Sequence, residues 1–269
     1  MIDVRLDFQE RVSQIDRYLT LVWISDSSVS IENLNAINGN KVNLNDGSEI
    51  ELSTLLEGGN KLQFDQELSK ILKSNAILLY YNLIEGTISL VLNEFFDKIN
   101  QERSKYDLMT SSIKKIWLKY KHRSFGVSNF KDDDYILSTI ESIIDEIIEI
   151  QPKSIRDNEL GNRTVYNYEA YCKETNSTDI SGNLDAREIR NIFSLYGLPE
   201  ISMRCDSMLQ VKNKRNSLAH GNETFAQVGS NFTIDDLYRM KIEIIGFLEN
   251  VLNEVEAFLG DKKYLKANA

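Results

Sequence analysis

Arg215 stands five places before His220, and Asn216 follows the arginine directly. His220 is one of only two histidines in the chain, the other being His122. These residue types suit cleavage of a phosphodiester that carries its own nucleophile, as RNA does in its 2′-OH. Such cleavage needs a base for the 2′ proton, a proton donor for the leaving 5′-oxygen, and positive charge beside the phosphorane. A histidine titrates near neutrality and serves as base or acid. An arginine stays charged and meets phosphate oxygens as a planar fork. Asn216 and His220 are four apart and share a helix face, so the amide can orient the imidazole or hold a phosphate oxygen. Arg215 and His220 point about 140° apart on a regular helix. One site uses both only if the arginine wraps round or the helix end unwinds at Gly221. A dimer that brings two motifs to one cleft eases the constraint. The competing reading of these residues is a plain helix-end pair bonded to carbonyls.

The positioning elements are helices. Only two prolines, Pro152 and Pro199, and 13 glycines interrupt a chain rich in Leu, Ile, Glu, Lys and Asn. Leu6, Val12, Ile15, Leu19 and Val22 recur at helical spacing and predict a first helix over residues 3 to 24. A long helix is expected from about 65 to 105, apolar nearly all round between Ala76 and Tyr81, as a buried central helix is. Asn75, Asn82, Glu85, Ser89 and Asn93 fall within about 80° of each other on it. This stripe is either a solvent face or the polar wall of a site inside the bundle, with Asn82 and Glu85 its supporting members. Further helices are expected over 107 to 121, from Asp132 to about Ile150, and from Asp185 to Tyr196, the last ended by Gly197 and Pro199. The motif helix should run from about Met203 to His220. The closing helix should begin at Thr233, with Asp236 completing a capping pattern. Its apolar face runs from Leu237 to Phe258, long enough to pack the motif helix and to serve a dimer.

Against this texture, residues 41 to 45 and 48 to 52 alternate apolar with polar around Asp46-Gly47, a type I′ turn pair. They predict a β-hairpin insertion over 38 to 54, the only strands expected. Residues 151 to 162 read as a linker around Pro152. The whole chain, 1 to 269, is otherwise expected to form one helical domain, with motif and closing helices in 203 to 260.

The net charge is −10. A protein that coats nucleic acid through many phosphate contacts is normally basic, so any RNA contact should be local. Lys114, Lys115, Lys119, Lys121, His122 and Arg123 form the best local anion patch, with Lys119, Lys121 and Arg123 its candidate RNA contacts, and Lys212 and Lys214 flank the motif. Each also reads as a helix-end or solvated cation. No HxxxH, HD or CxxC pattern predicts a metal site, and no cofactor is expected. Cys172 and Cys205 lie far apart and, with no apolar leader at Met1-Ile2-Asp3-Val4-Arg5, read as reduced thiols in a cytoplasmic protein. The most apolar segment, Ala76 to Leu92, holds Asn82 and Glu85 and is short for a bilayer span, so no membrane partner is expected.

Arg215-Asn216-Ser217-Leu218-Ala219-His220 resembles the Arg-x4–6-His signature of the HEPN superfamily, including the polar residue after the arginine. Gly182-Asn183-Leu184-Asp185-Ala186-Arg187-Glu188-Ile189-Arg190, Tyr196-Gly197 and Val228-Gly229…Thr233-Ile234-Asp235-Asp236-Leu237 are similar to the MAE-type branch of bacterial conflict systems. Val4-Arg5-Leu6-Asp7-Phe8 and Asn82-Leu83-Ile84-Glu85 fit the same branch. The likeness spans the chain, strongest from 182 to 240 and slight over 25 to 62 and 122 to 181. It implies an all-α bundle that dimerises so that two motifs face one cleft, and a metal-independent endoribonuclease restrained by an antitoxin or serving phage defence. Other members of the superfamily only bind nucleotides or proteins. Some toxins carry a tyrosine two places after the histidine, as a target of AMP transfer; Asn222 stands there in this chain.

Overall fold

The structure, a computed structural model, describes residues 1–26, 41–43, 49–51, 66–122, 154–155, 165–166 and 184–266. Within them the chain is all-α apart from two small strand pairs. The helices are α1 (Ile2–Asp26), α2 (Gln66–Glu102), α3 (Ser111–His122), α4 (Ala186–Tyr196), α5 (Asp206–Ala219), α6 (Phe225–Gly229) and α7 (Ile234–Gly260), with a 3₁₀ turn at Tyr106–Leu108. Strands β1 (Lys41–Asn43) and β2 (Glu49–Glu51) pair antiparallel, as do β3 (Ser154–Ile155) and β4 (Val165–Tyr166). The chain divides into two compact units.

One unit comprises Arg5–Ile84 and Cys205–Phe247. Here α1 buries Phe8, Ile15, Leu19 and Val22, while Leu6 is 59% exposed. The expected stripe was thus out of phase at its start: Phe8, not Leu6, continues the roughly seven-residue rhythm of the buried face through Ile15 and Val22. Tyr80 of α2 is fully buried and donates its hydroxyl to the Leu237 carbonyl at 2.8 Å. Tyr18 of α1 donates to the Leu72 carbonyl at 2.9 Å. A closer approach occurs at Gly229. A Cβ there would lie 1.8 Å from the Lys70 carbonyl oxygen, so only glycine lets α6 sit against α2. The α7 start is the expected one: Thr233 and Asp236 bond reciprocally through side chains and backbone N–H groups at 3.0 and 3.1 Å.

The other unit comprises Met1–Val4, Glu85–Arg204 and Leu248–Ala269. Phe95, Phe96, Tyr196 and Phe258 form its aromatic centre, with ring centroids 5.2 to 6.4 Å apart. Asp185 caps α4 by accepting the Glu188 N–H at 2.9 Å. Gly197 ends it with φ +68°, its N–H and that of Leu198 returning to Ser194 and Phe193. Arg190 donates to the Ile201 and Met203 carbonyls and so ties down residues 201–203, which are not helical. The motif helix therefore starts at Asp206 rather than near Met203.

Two strand expectations change. Asn43 pairs with Glu49, whereas a two-residue turn at Asp46-Gly47 would pair it with Ile50; the turn itself lies outside the described residues. The expected linker contains β3, paired with β4 beyond it. The helix expected over 132 to 150 lies outside the described residues.

By length and composition α2 could cross a membrane, since its most apolar window has a mean hydropathy of 1.3. At 37 residues it is not short, as its apolar centre suggested, but 56% of that window is buried within the protein. That burial is the mark of a core helix. The apolar face of α7, from Leu237 to Phe258, is likewise buried within the chain, so it does not double as a dimer surface.

Candidate active site

The site lies at the C-terminal end of α5. At its N-terminal end this helix is deeply seated, with Cys205, Met208 and Val211 buried. Toward its C-terminus the chain emerges: Arg215 and Asn216 are half-buried, and Ala219 and His220 are exposed. Arg215 lies seven residues after Met208 and four after Val211, so its stem leaves from the buried face.

No side chain on α5 itself caps its N-terminus, because Cys205 occupies that position. Glu243 of α7 does so instead, accepting the Asp206 N–H at 2.7 Å and the Ser207 hydroxyl. A thiol at a helix N-terminus usually has a lowered pKa. Burial outweighs that here and pushes Cys205 up to about 12. Cys205 is a free, buried thiol; Cys172 lies outside the described residues.

The other end closes on His220 and Gly221. His220 is the last residue of the turn, and its N–H reaches the Asn216 carbonyl at 3.0 Å. Gly221 adopts φ +70°. Its N–H bonds Leu218, and that of Asn222 bonds Ser217 at 2.9 Å. This is a Schellman closure. An apolar contact often accompanies such a closure, but the residues here are polar. In its place Lys214 grips both oxygens of Glu223, at 2.9 and 3.1 Å. That grip, with help from Ser217, holds the Glu223 carboxyl below its usual range.

One Arg215 Nη1–H donates to Asn216 Oδ1 at 2.9 Å, and Asn216 stands four residues before His220 on the helix. The bond also orients the amide, with its NH₂ directed away from the arginine. Asn216 thus links the motif: its side chain takes Arg215 and its carbonyl takes His220. Arg215 Cζ sits 3.8 Å from the centroid of the Tyr81 ring, a cation–π stack on a nearly buried residue of α2.

Next to Tyr81, Asn82 is exposed rather than buried in the bundle. Its Oδ1 accepts Arg11 Nη1 at 2.6 Å, and Asp7 holds the same guanidinium at 2.6 and 3.2 Å. No member of the α2 polar stripe is buried. Glu85, half-buried, follows Asn82 by three residues and belongs to the other compact unit. Lys212 is half-exposed on α5, and Lys214 is taken by Glu223. Lys119 and Lys121 lie on α3, in the other unit, and Arg123 lies outside the described residues. Among the described residues no cluster of three or more His, Cys, Asp or Glu is placed to hold a metal.

Sequence reasoning missed Tyr81 and Arg11. Tyr81 sits in an apolar run and reads as core, and only its distant partner on α5 gives it another role. Arg11 offered a usable signal in its i, i+4 spacing from Asp7.

This geometry defines a helical protein that presents an Arg-x4-His motif at a closed helix end. The chain belongs to the HEPN superfamily, in its MAE-type branch: the family model described as MAE_28990-like HEPN matches residues 5–264. No curated protein and no solved structure matches the chain. The stretches that carried the resemblance do structural work at the Asp185 cap, the Gly197 turn, the Gly229 approach and the Thr233 cap.

Proposed function

We propose that the protein is a metal-independent endoribonuclease whose site is built from Arg215, Asn216 and His220. Membership in the HEPN family points to a nuclease or RNA-related role. The observation that carries the finer reading is the ordered motif at the end of α5, with a charged fork tied to the amide beside an exposed histidine. Arg215 clamps the phosphate, Asn216 positions it, and His220 moves the proton, as base for the 2′-OH or acid for the 5′-oxygen. The protein acts as a homodimer in which two motifs share one cleft, within a bacterial toxin or defence system and under a partner protein's restraint. Asn82 supports the site, and Lys212 is a candidate RNA contact.

The test expresses wild type and His220→Ala in a bacterium, examines total RNA, then repeats cleavage with purified proteins in EDTA. RNA fragments with wild type alone, and a loss of about 10²–10⁴-fold in the variant, are expected. Near-full activity in His220→Ala would remove the assignment.

A second reading has one observation in its favour. The net charge of −10 repels free RNA, which suits a non-catalytic HEPN module that binds a partner protein or nucleotide. Intact RNA in both expression strains, and no cleavage by either purified protein, would favour it.

A further inference from the structure

We infer that Tyr81 is a positioning residue for Arg215, acting through its ring. The inference rests on the reading of Arg215 as the phosphate clamp. A free arginine side chain samples many rotamers, and a fork helps phosphorane formation only when its N–H groups already point at the developing charge. A ring and an amide both meet Arg215. The Tyr81 ring lies 3.8 Å from Cζ, a separation short enough to favour the guanidinium lying face-on to the ring. The Asn216 bond at 2.9 Å restrains rotation of the guanidinium within its own plane. The two are complementary: a stack engages the face of the guanidinium, whereas every N–H lies in its edge. Stacking therefore orients the fork without covering its donors.

The platform is rigid. Tyr81 is 4% exposed, and its neighbours Tyr80, Leu83 and Ile84 are at most 1% exposed. Tyr80 is pinned to the Leu237 carbonyl. On the other side Asn82 is tied to Arg11 and through it to Asp7. The ring thus sits on a segment of α2 fastened at both flanks, while Arg215 comes from α5, near the exposed end of the motif. The inference assigns a function to a residue that composition alone makes a core tyrosine.

The experiment compares wild type, Tyr81→Phe, Tyr81→Leu and Tyr81→Met in two measurements. In RNA cleavage, Tyr81→Phe should stay within about threefold of wild type, since Phe presents the same ring face. Tyr81→Leu and Tyr81→Met should lose about 5- to 30-fold, chiefly in kcat rather than KM, as expected when orientation and not binding is lost. The second measurement needs no activity. In arginine-labelled protein, the Arg215 Nε–Hε resonance, assigned by its disappearance in Arg215→Lys, should be displaced upfield by the ring current. The displacement should persist in Tyr81→Phe and vanish in Tyr81→Leu and Tyr81→Met. An undisplaced Arg215 resonance in wild type overturns the inference even if the variants fail to fold. A loss in Tyr81→Phe equal to that in Tyr81→Leu overturns the role of the ring. If wild type cleaves no RNA while the displacement behaves as expected, the endoribonuclease reading fails, and the stack stands as a restraint on Arg215 without a catalytic role.

Discussion

Arg215→Lys keeps the charge at the motif but removes the plane. A lysine ammonium neither stacks face-on nor offers a fork. Cleavage should fall by about 10- to 100-fold with little change in melting temperature, as measured by single-turnover kinetics beside thermal unfolding. At the same helix end, the Lys214–Glu223 grip should respond to acid. Its carboxyl lies below the ordinary value of 4.5 in the folded protein. Its contribution is therefore fully present above that value and is lost as pH falls through the lower folded value. Protection factors for amide exchange at Asn222 and Glu223, which correct for the intrinsic slowing in acid, should fall selectively as the Glu223 carboxyl takes up its proton, and protection unchanged through that acid range would show that the grip does not hold the turn. Arg215, Asn216 and His220 were legible in the sequence because they lie within one helical turn and a half. Tyr81 was not, because a stacking partner far along the chain leaves no local pattern.

Helices announce themselves through period and punctuation, and most of these did. The capping residues Asp185 and Thr233, and the closing glycines Gly197 and Gly221, are local signals and marked their ends well. The errors have a common cause in tertiary partners. Arg190 takes the carbonyls of Ile201 and Met203 and delays α5, and the α1 face shifted phase where Phe8 rather than Leu6 met the core. The two αL glycines separate conformation from space. A Cβ at Gly221 meets nothing within 4 Å, so Gly221→Ala should cost only the left-handed penalty, about 1–2 kcal/mol. A Cβ at Gly197 comes within 2.5 Å of the Ser112 Cβ, so Gly197→Ala should cost more. Denaturant unfolding of both variants checks the order, and equal losses would show that Ser112 yields freely.

At the scale of the molecule, the acidic charge and the shared-cleft proposal meet. The α7 face, the one surface that the sequence offered for a dimer, is used up within the chain, so the proposed dimer needs another surface. Subunit mixing tests the arrangement without knowing the surface. If each site draws Arg215 from one protomer and His220 from the other, mixing Arg215→Ala with His220→Ala should restore cleavage that neither has alone. Light scattering should show two chains per particle at the working concentration. A monomer, or a mixture as inactive as its parts, would sink the shared cleft and leave Asn216 to join arginine and histidine within one chain.

The absence of a side chain at Gly229 has a practical use in genetics. A methyl group there would press on the backbone of α2 at Lys70, remote in sequence from Arg215 and His220. Gly229→Ala should lower stability by about 1–3 kcal/mol while leaving the motif residues themselves unchanged. That makes it a candidate temperature-sensitive allele. On the toxin reading proposed above, a host would tolerate it at high temperature, where the protein unfolds, and suffer on a shift to low temperature. Growth curves across the shift, with Gly229→Ala/His220→Ala as the inert control, would read the switch directly. Equal harm at both temperatures would show that α6 moves aside at little cost.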